Sequence, residues 1–258
     1  MADRDRLRSV AVVVMAVAQA VVGLGSPFVT DPDSSAGAIS DANHSPVTPA
    51  GYAFAIWGLI YAASLVLAVY QAGPGQRGRD LHRRTGWWLV AAFTASTIWV
   101  PIFSTRTIWL SQVVILVLVG SLAMAARRFT ERGPAEDLAE RLAFRLPVTL
   151  YLGWATAATA AGFGATFRSL GMPEQGGWVT LVSLVLVLLA AAASIVAVGR
   201  LLAVAGFAFA VCWALVAVVV ATSSGLVGAA AVVALLLILA VVVVRSVQSR
   251  RATAVLLG

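Results

Sequence analysis

Eight uninterrupted apolar stretches constrain this chain more than any other feature of its sequence. They run over residues 8–28, 49–71, 86–103, 107–126, 146–167, 178–198, 201–222 and 225–244. A bilayer hydrocarbon core is crossed by about 20 residues of α-helix, with a workable range of about 17 to 25. Within that core every backbone group must be hydrogen-bonded inside the segment or inside a closed barrel. The stretches are continuously apolar and lack the alternation of barrel strands, so the spans are helices. The expected fold class is an all-α membrane protein with eight transmembrane helices. Composition agrees: 11% of the residues are charged, against about 25% in a soluble domain. The first stretch follows basic residues as a signal peptide does, but it is too long, and GLGSPF is a poor cleavage site.

The formal charge of +7 is carried by arginine alone, because lysine is absent. With a cytoplasmic N-terminus, sixteen arginines fall in inner segments and only Arg106 and Arg168 fall outside. Positive charge in short connections orients helices in membranes. The expectation is an integral, multi-pass protein of the cell (inner) membrane with both termini cytoplasmic. The same placement accounts for the basic excess without nucleic acid as a partner.

Cys212 is the one cysteine, which excludes an intramolecular disulfide and any multi-cysteine metal site. His44 and His82 stand in different connections without a ligand partner at a recognisable spacing, and read as solvated loop histidines. The outer connection over residues 30–47, TDPDSSAGAISDANHSPV, is long enough to favour a lid over a pocket rather than a plain linker. In the inner connection RRFTERGPAEDLAERLAFR, Pro134 can start a short helix whose Glu and Arg residues pair on its surface. That reads as an interfacial helix.

The second span begins VTPAGYAFAIWGLIYAA, over residues 47–63. Trp57 lies eight residues past Pro49, about 12 Å deep at about 1.5 Å per residue. That is too deep for an interfacial anchor. Phe54, Trp57 and Tyr61, spaced by three and four, share one helical face and read as a wall toward other protein or a ligand. In the fifth span Gly153, Ala157, Ala161 and Ala165 repeat every four residues, as do Ala158 and Gly162. Small faces allow close helix approach in lipid or leave room for a flat ligand. Packing is the favoured use, with a ligand face on the side of Trp154 and Ala158.

Three segments, TPAGYAFAIWGLIY (residues 48–61), TASTIWVPIF (94–103) and YLGWATAATAAGF (151–163), fall in order on the second, third and fifth spans. Together they resemble the tryptophan-rich sensory protein and translocator protein family, TspO/MBR, over residues 8–170. The resemblance implies a five-helix bundle, residues 1–170, with a three-helix extension, residues 171–258. It implies a pocket beneath the loop joining the first two helices that binds porphyrins, haem, sterols or similar lipophilic molecules. Carried over by position, Pro49, Trp57 and Tyr61, then Trp99 and Pro101, then Trp154, Ala158, Thr159 and Phe163 would line that pocket, and Phe54 joins them through the stripe it shares with Trp57 and Tyr61. Several positions depart from the family pattern: Gly51 and Tyr52 replace an early tryptophan, Ala92 and Ser96 replace glutamine and asparagine, and Gly162 replaces an asparagine. Phe163 stands where the sterol-type motif has tyrosine. Polar groups that orient a ligand are thereby reduced, which bears on ligand preference.

The last three spans are nearly pure Val, Ala and Leu and read as scaffold, with Trp178 an interface anchor and Trp213 near mid-span. A chain ending near Gly171 is therefore expected to keep the pocket. No charged side chain stands inside a span, which disfavours ion- or proton-coupled transport. Gln19 and Gln112, the strongest mid-span polar groups, can bridge helices. The leading expectation is a membrane protein that binds a tetrapyrrole or another lipophilic molecule in a sensing or regulatory role. The alternatives are a passive transporter of a lipophilic solute and a porphyrin-degrading enzyme. Enzymatic action is disfavoured by the lack of an acid–base pair, nucleophile or metal constellation. No cofactor is required, although porphyrin or haem could be bound. The partners are a lipophilic small molecule and membrane lipid, with a homo-oligomer left open.

Overall fold

The computed structural model describes residues 2–29, 35–249 and 252–258, with side chains left aside at 26–29. The first part of the outer connection, residues 30–34, and Arg250 and Arg251 lie outside the described residues. Eight long helices occupy the eight apolar stretches: α1 (Ala2–Val29), α3 (Ile56–Ala72), α4 (Asp80–Ser104), α5 (Ile108–Arg132), α7 (Leu146–Ser169), α8 (Gly177–Arg200), α9 (Val204–Ala221) and α10 (Gly225–Gln248). Three short helices accompany them: α2 (Ala36–Ala42), α6 (Leu138–Glu140) and α11 (Ala252–Leu257). Among the described residues, seven long helices are long and apolar enough to cross a membrane. The remaining one, α7, has the length but dilutes its apolar content with Thr149, Thr156, Thr159, Thr166, Gly153, Gly162 and Gly164.

That composition suits its position. The long helices touch in the order α3, α1, α4, α5, α7, and α7 then meets both α8 and α9, which close against α10. As the hub, α7 is covered by protein on several sides, with Tyr151, Trp154 and Ala155 fully enclosed. Its threonine hydroxyls turn back onto the helix, Thr156 to Leu152 O and Thr159 to Ala155 O at 2.8 Å each. In lipid such internal bonding is how a hydroxyl is accommodated.

Two connections differ from their sequence reading. The inner loop does not start a helix at Pro134. Asp137 is the N-cap, accepting from Glu140 N at 2.7 Å, and the chain continues through a π-helical turn, Arg141–Arg145, directly into α7. Its charges pair inward. Glu140 and Arg145 are fully buried and joined at 2.6 Å, and Glu140 also meets Arg79 at 2.8 Å. His82 is likewise no solvated loop residue: it is buried in the first turn of α4, edge-on to Tyr70 and Phe144.

In the outer connection, Ser35 caps α2. Ile39 and Ser40 then point into protein, and Ser45, Val47 and Thr48 are buried behind them. The stretch from residue 35 onward is thus folded against the bundle.

Candidate functional site

The chain does not enter its second span as an α-helix. Gly51–Ala55 forms a 3-10 turn, tied to α9 by Ala50 N donating to Ala217 O at 3.0 Å and Trp213 Nε1 donating to Ala53 O at 3.1 Å. Trp213 also meets Tyr52 edge-on. This tether sets the position of Phe54 and the start of α3, where Trp57 sits.

Trp57 is the centre of an aromatic cluster. Its ring stacks on Tyr61 at 5.6 Å and on Trp99 at 5.5 Å, and it is edge-on to Tyr151 at 5.8 Å and Trp154 at 6.1 Å. Phe54 is edge-on to Trp154, and Trp99 stacks on Phe103. All these separations lie in the favourable range of about 4.5 to 7 Å. Tyr61 reaches inward because Gly23 of α1 leaves room for its ring; a Cβ at Gly23 would overlap it.

The cluster separates two spaces. On one side lies a cavity of about 70 Å³ reaching toward α5, α7, α8 and α9. On the other lies a groove of about 470 Å³ bounded by α1, α2, α3 and α4, into which Gly23, Gly37 and Tyr61 face. Phe54, Trp57, Trp99 and Phe103 line both. The cavity has room for about two waters, whose share of liquid volume is about 30 Å³ each. The groove falls within the about 300 to 1,000 Å³ typical of small-molecule pockets.

The residues singled out in the sequence divide accordingly. Pro49, Phe54, Trp57, Trp99, Trp154 and Ala158 border the cavity, and Tyr61 borders the groove. Thr159 and Phe163 do neither; they line a third space, of about 620 Å³, between α7 and α8. Helical geometry separates them. At about 100° per residue, residues 154, 158, 161 and 165 follow one face, whereas 156, 159, 163 and 167 follow the roughly opposite one. Pro101, in the last turn of α4, is exposed and lines none of the three.

Part of the cavity wall carried no motif in the sequence. Val187, Ala190, Ala191 and Ser194 of α8 and Val211, Ala214, Leu215 and Val218 of α9 all face it. The helices read as scaffold therefore supply one side of the site, and a chain ending near Gly171 lacks that side. Their i, i+3, i+4, i+7 spacing is the signal that was available, but it is masked where the whole helix is apolar.

Polar groups at the site are few. Gln112 lines the cavity and bridges α5 to α7 through Nε2 to Thr159 O at 3.1 Å. Gln19 accepts from Tyr151 Oη at 3.1 Å, bridging α1 to α7. The indole N–H groups of Trp57 and Trp154, both buried, have no hydrogen-bond partner. Among the described residues no Asp, Glu, Arg or His side chain lines the cavity or the groove, and no cluster of three metal-ligating side chains exists.

A model of the TSPO-like protein family matches residues 7–244. The chain belongs to the TSPO-like family. No curated protein and no solved structure matches it in the parallel comparisons. The family match runs past residue 170 through α8, α9 and most of α10. In this TSPO-like chain the division at residue 170 is thus one of motif content, and both the match and the packing cross it.

Away from the site, the end of this TSPO-like bundle that carries the chain's N-terminus is held by charge. Arg145 donates to Glu140 from Nε and Nη2, to Gly133 O from Nη1, and lies over the Phe129 ring at 5.1 Å. Burial pushes its guanidinium below the ordinary value, and Glu140 offsets part of that shift. A second group joins α1 to α4, with Asp5 accepting from Arg8 at 2.7 Å and Arg83 at 2.6 Å. These ion pairs fix helix ends and stand apart from the aromatic cluster.

Proposed function

We propose that this TSPO-like membrane protein binds a flat, lipophilic small molecule against the Trp57 cluster, with a tetrapyrrole or sterol-like compound as the chemical class. One observation carries the reading: Trp57 and Trp154 present two buried, unpartnered indole N–H donors within an otherwise apolar aromatic wall. An unpaired buried donor costs about 1 to 3 kcal/mol, and an acceptor on a bound molecule would remove that cost. The groove has the volume for a small ligand, and movement of the Trp57 and Trp99 rings would join it to the cavity. The lack of ionisable groups along both spaces, among the described residues, supports binding or sensing over coupled transport. Bound porphyrin or haem would then be a ligand held by stacking rather than a ligated cofactor. The arginine asymmetry further supports cytoplasmic termini, so that the groove under α2 faces outward. Reporter fusions after Gly37 and after Gly258 should report opposite sides of the membrane, and the same side for both would overturn this orientation.

The binding test is an absorbance titration with protoporphyrin IX of the full chain and of Trp57→Phe and Trp154→Phe, which keep an aromatic ring and remove the N–H. Saturable binding is expected, weakened about three- to tenfold in each variant, the worth of one hydrogen bond. Absence of saturable binding, or unchanged affinity in both variants, contradicts the reading.

A further inference from the structure

The 620 Å³ space between α7 and α8 lies on the lipid side of the bundle. Trp178, Leu181 and Leu189 line it and are more than half exposed. Its only polar residues, Thr156 and Thr159, spend their hydroxyls on backbone carbonyls of α7. An occupant therefore meets an apolar wall and must itself be lipophilic. Two residues belong to this space and to the inner cavity at once: Ala160 of α7 and Ala190 of α8. The partition between the two spaces thus includes two small residues that border both. Elsewhere α7 is closed by backbone contact with α9, where Gly153 abuts Phe207.

From these facts we infer that the gap between α7 and α8 is a lateral portal: the lipophilic ligand passes from the bilayer across Ala160 and Ala190 to its seat at the Trp57 cluster, and the small inner cavity widens as α8 separates from α7. The inference rests on the ligand-binding reading above. It adds the route and assigns Thr159 and Phe163 to the portal rather than to the ligand's seat. Modest separation of α8 from α7 opens the passage, because the residues common to the two spaces are alanines and no charged residue is among the described ones lining either.

A plug in a path raises the barrier in both directions and leaves the end states alone. The test is stopped-flow exchange of protoporphyrin IX with the full chain in phosphatidylcholine nanodiscs. Ala193→Trp narrows the portal from an exposed position outside the cavity. Leu189→Ala widens it, and Val243→Trp adds the same bulk to an exposed site on α10. The account expects Ala193→Trp to slow association and dissociation together by about tenfold at unchanged Kd. Leu189→Ala should speed both, and Val243→Trp should change neither. Wild-type rates in Ala193→Trp, or a change in its Kd, overturn the portal and leave the binding reading standing. Failure of the unmodified protein to bind protoporphyrin saturably overturns both.

Discussion

Two stretches of one side of α7 use small residues in opposite ways. Toward α9, Gly153 abuts the Phe207 backbone and Gly206 abuts Leu146 O and Leu150 N, so that a Cβ at either glycine would collide with main chain. Toward α8, Ala157, Ala160 and Ala161 look into open space. Small residues permit close helix approach in lipid, but they do so only where the opposite helix comes forward to meet them. Where it stays back, the same residue sizes leave a cavity. Close backbone packing thus occupies the stretch of α7 around Gly153, and space for a ligand the stretch around Ala157 to Ala161.

Removing the foothold common to both stretches should have the largest effect. Glu140→Gln leaves Arg145, fully buried, without its carboxylate, a loss of about 3 to 5 kcal/mol for a broken buried pair. Thermal unfolding in detergent should fall sharply, with porphyrin binding lost at the same time. A variant as stable as the parent would show that the pair does not anchor α7. Next in size, Gly153→Val should break the sealed contact with α9 alone, at about 1 to 3 kcal/mol or more, because backbone cannot yield as a side chain can. The counterpart, Ala161→Val, should change stability by under about 1 kcal/mol, since the added methyls enter an existing void. It should still weaken protoporphyrin binding. Equal melting temperatures for these two variants would erase the distinction between the two stretches.

Much of this arrangement is legible in the sequence, for reasons that also mark where legibility stops. The long helices stand where the apolar runs stand, because in hydrocarbon a run of that length has few alternatives. Trp57, Trp99 and Trp154 come together in space as their motifs on three spans suggested. Thr159 and Phe163 do not join them, because motif membership ignores the 100° that separates neighbouring residues on a helix. The contribution of α9 is hidden for another reason. Its surface is apolar all round, and lipid-facing and protein-facing sides of such a helix look alike. Glu140 and Arg145 read as loop charges because the span was started at residue 146, and the π-helical turn that carries Arg145 inward has no marker in composition.

The central claim is that Trp57 belongs to a ligand site, and replacing it tests that claim most directly. Trp213 is unsuitable as a comparison because it donates to Ala53 O and steadies the turn that carries Phe54. Trp109, in the first turn of α5 and 56% exposed, touches neither the cavity nor the groove. Loss of stacking on a planar ring costs about 0.5 to 1.5 kcal/mol beyond lost burial, and each 1.4 kcal/mol or so is a factor of about ten in affinity. With both variants confirmed as folded, protoporphyrin titrations should show Trp57→Ala weakened about tenfold or more and Trp109→Ala unchanged. Equal affinities would contradict the account and return Trp57 to ordinary helix packing.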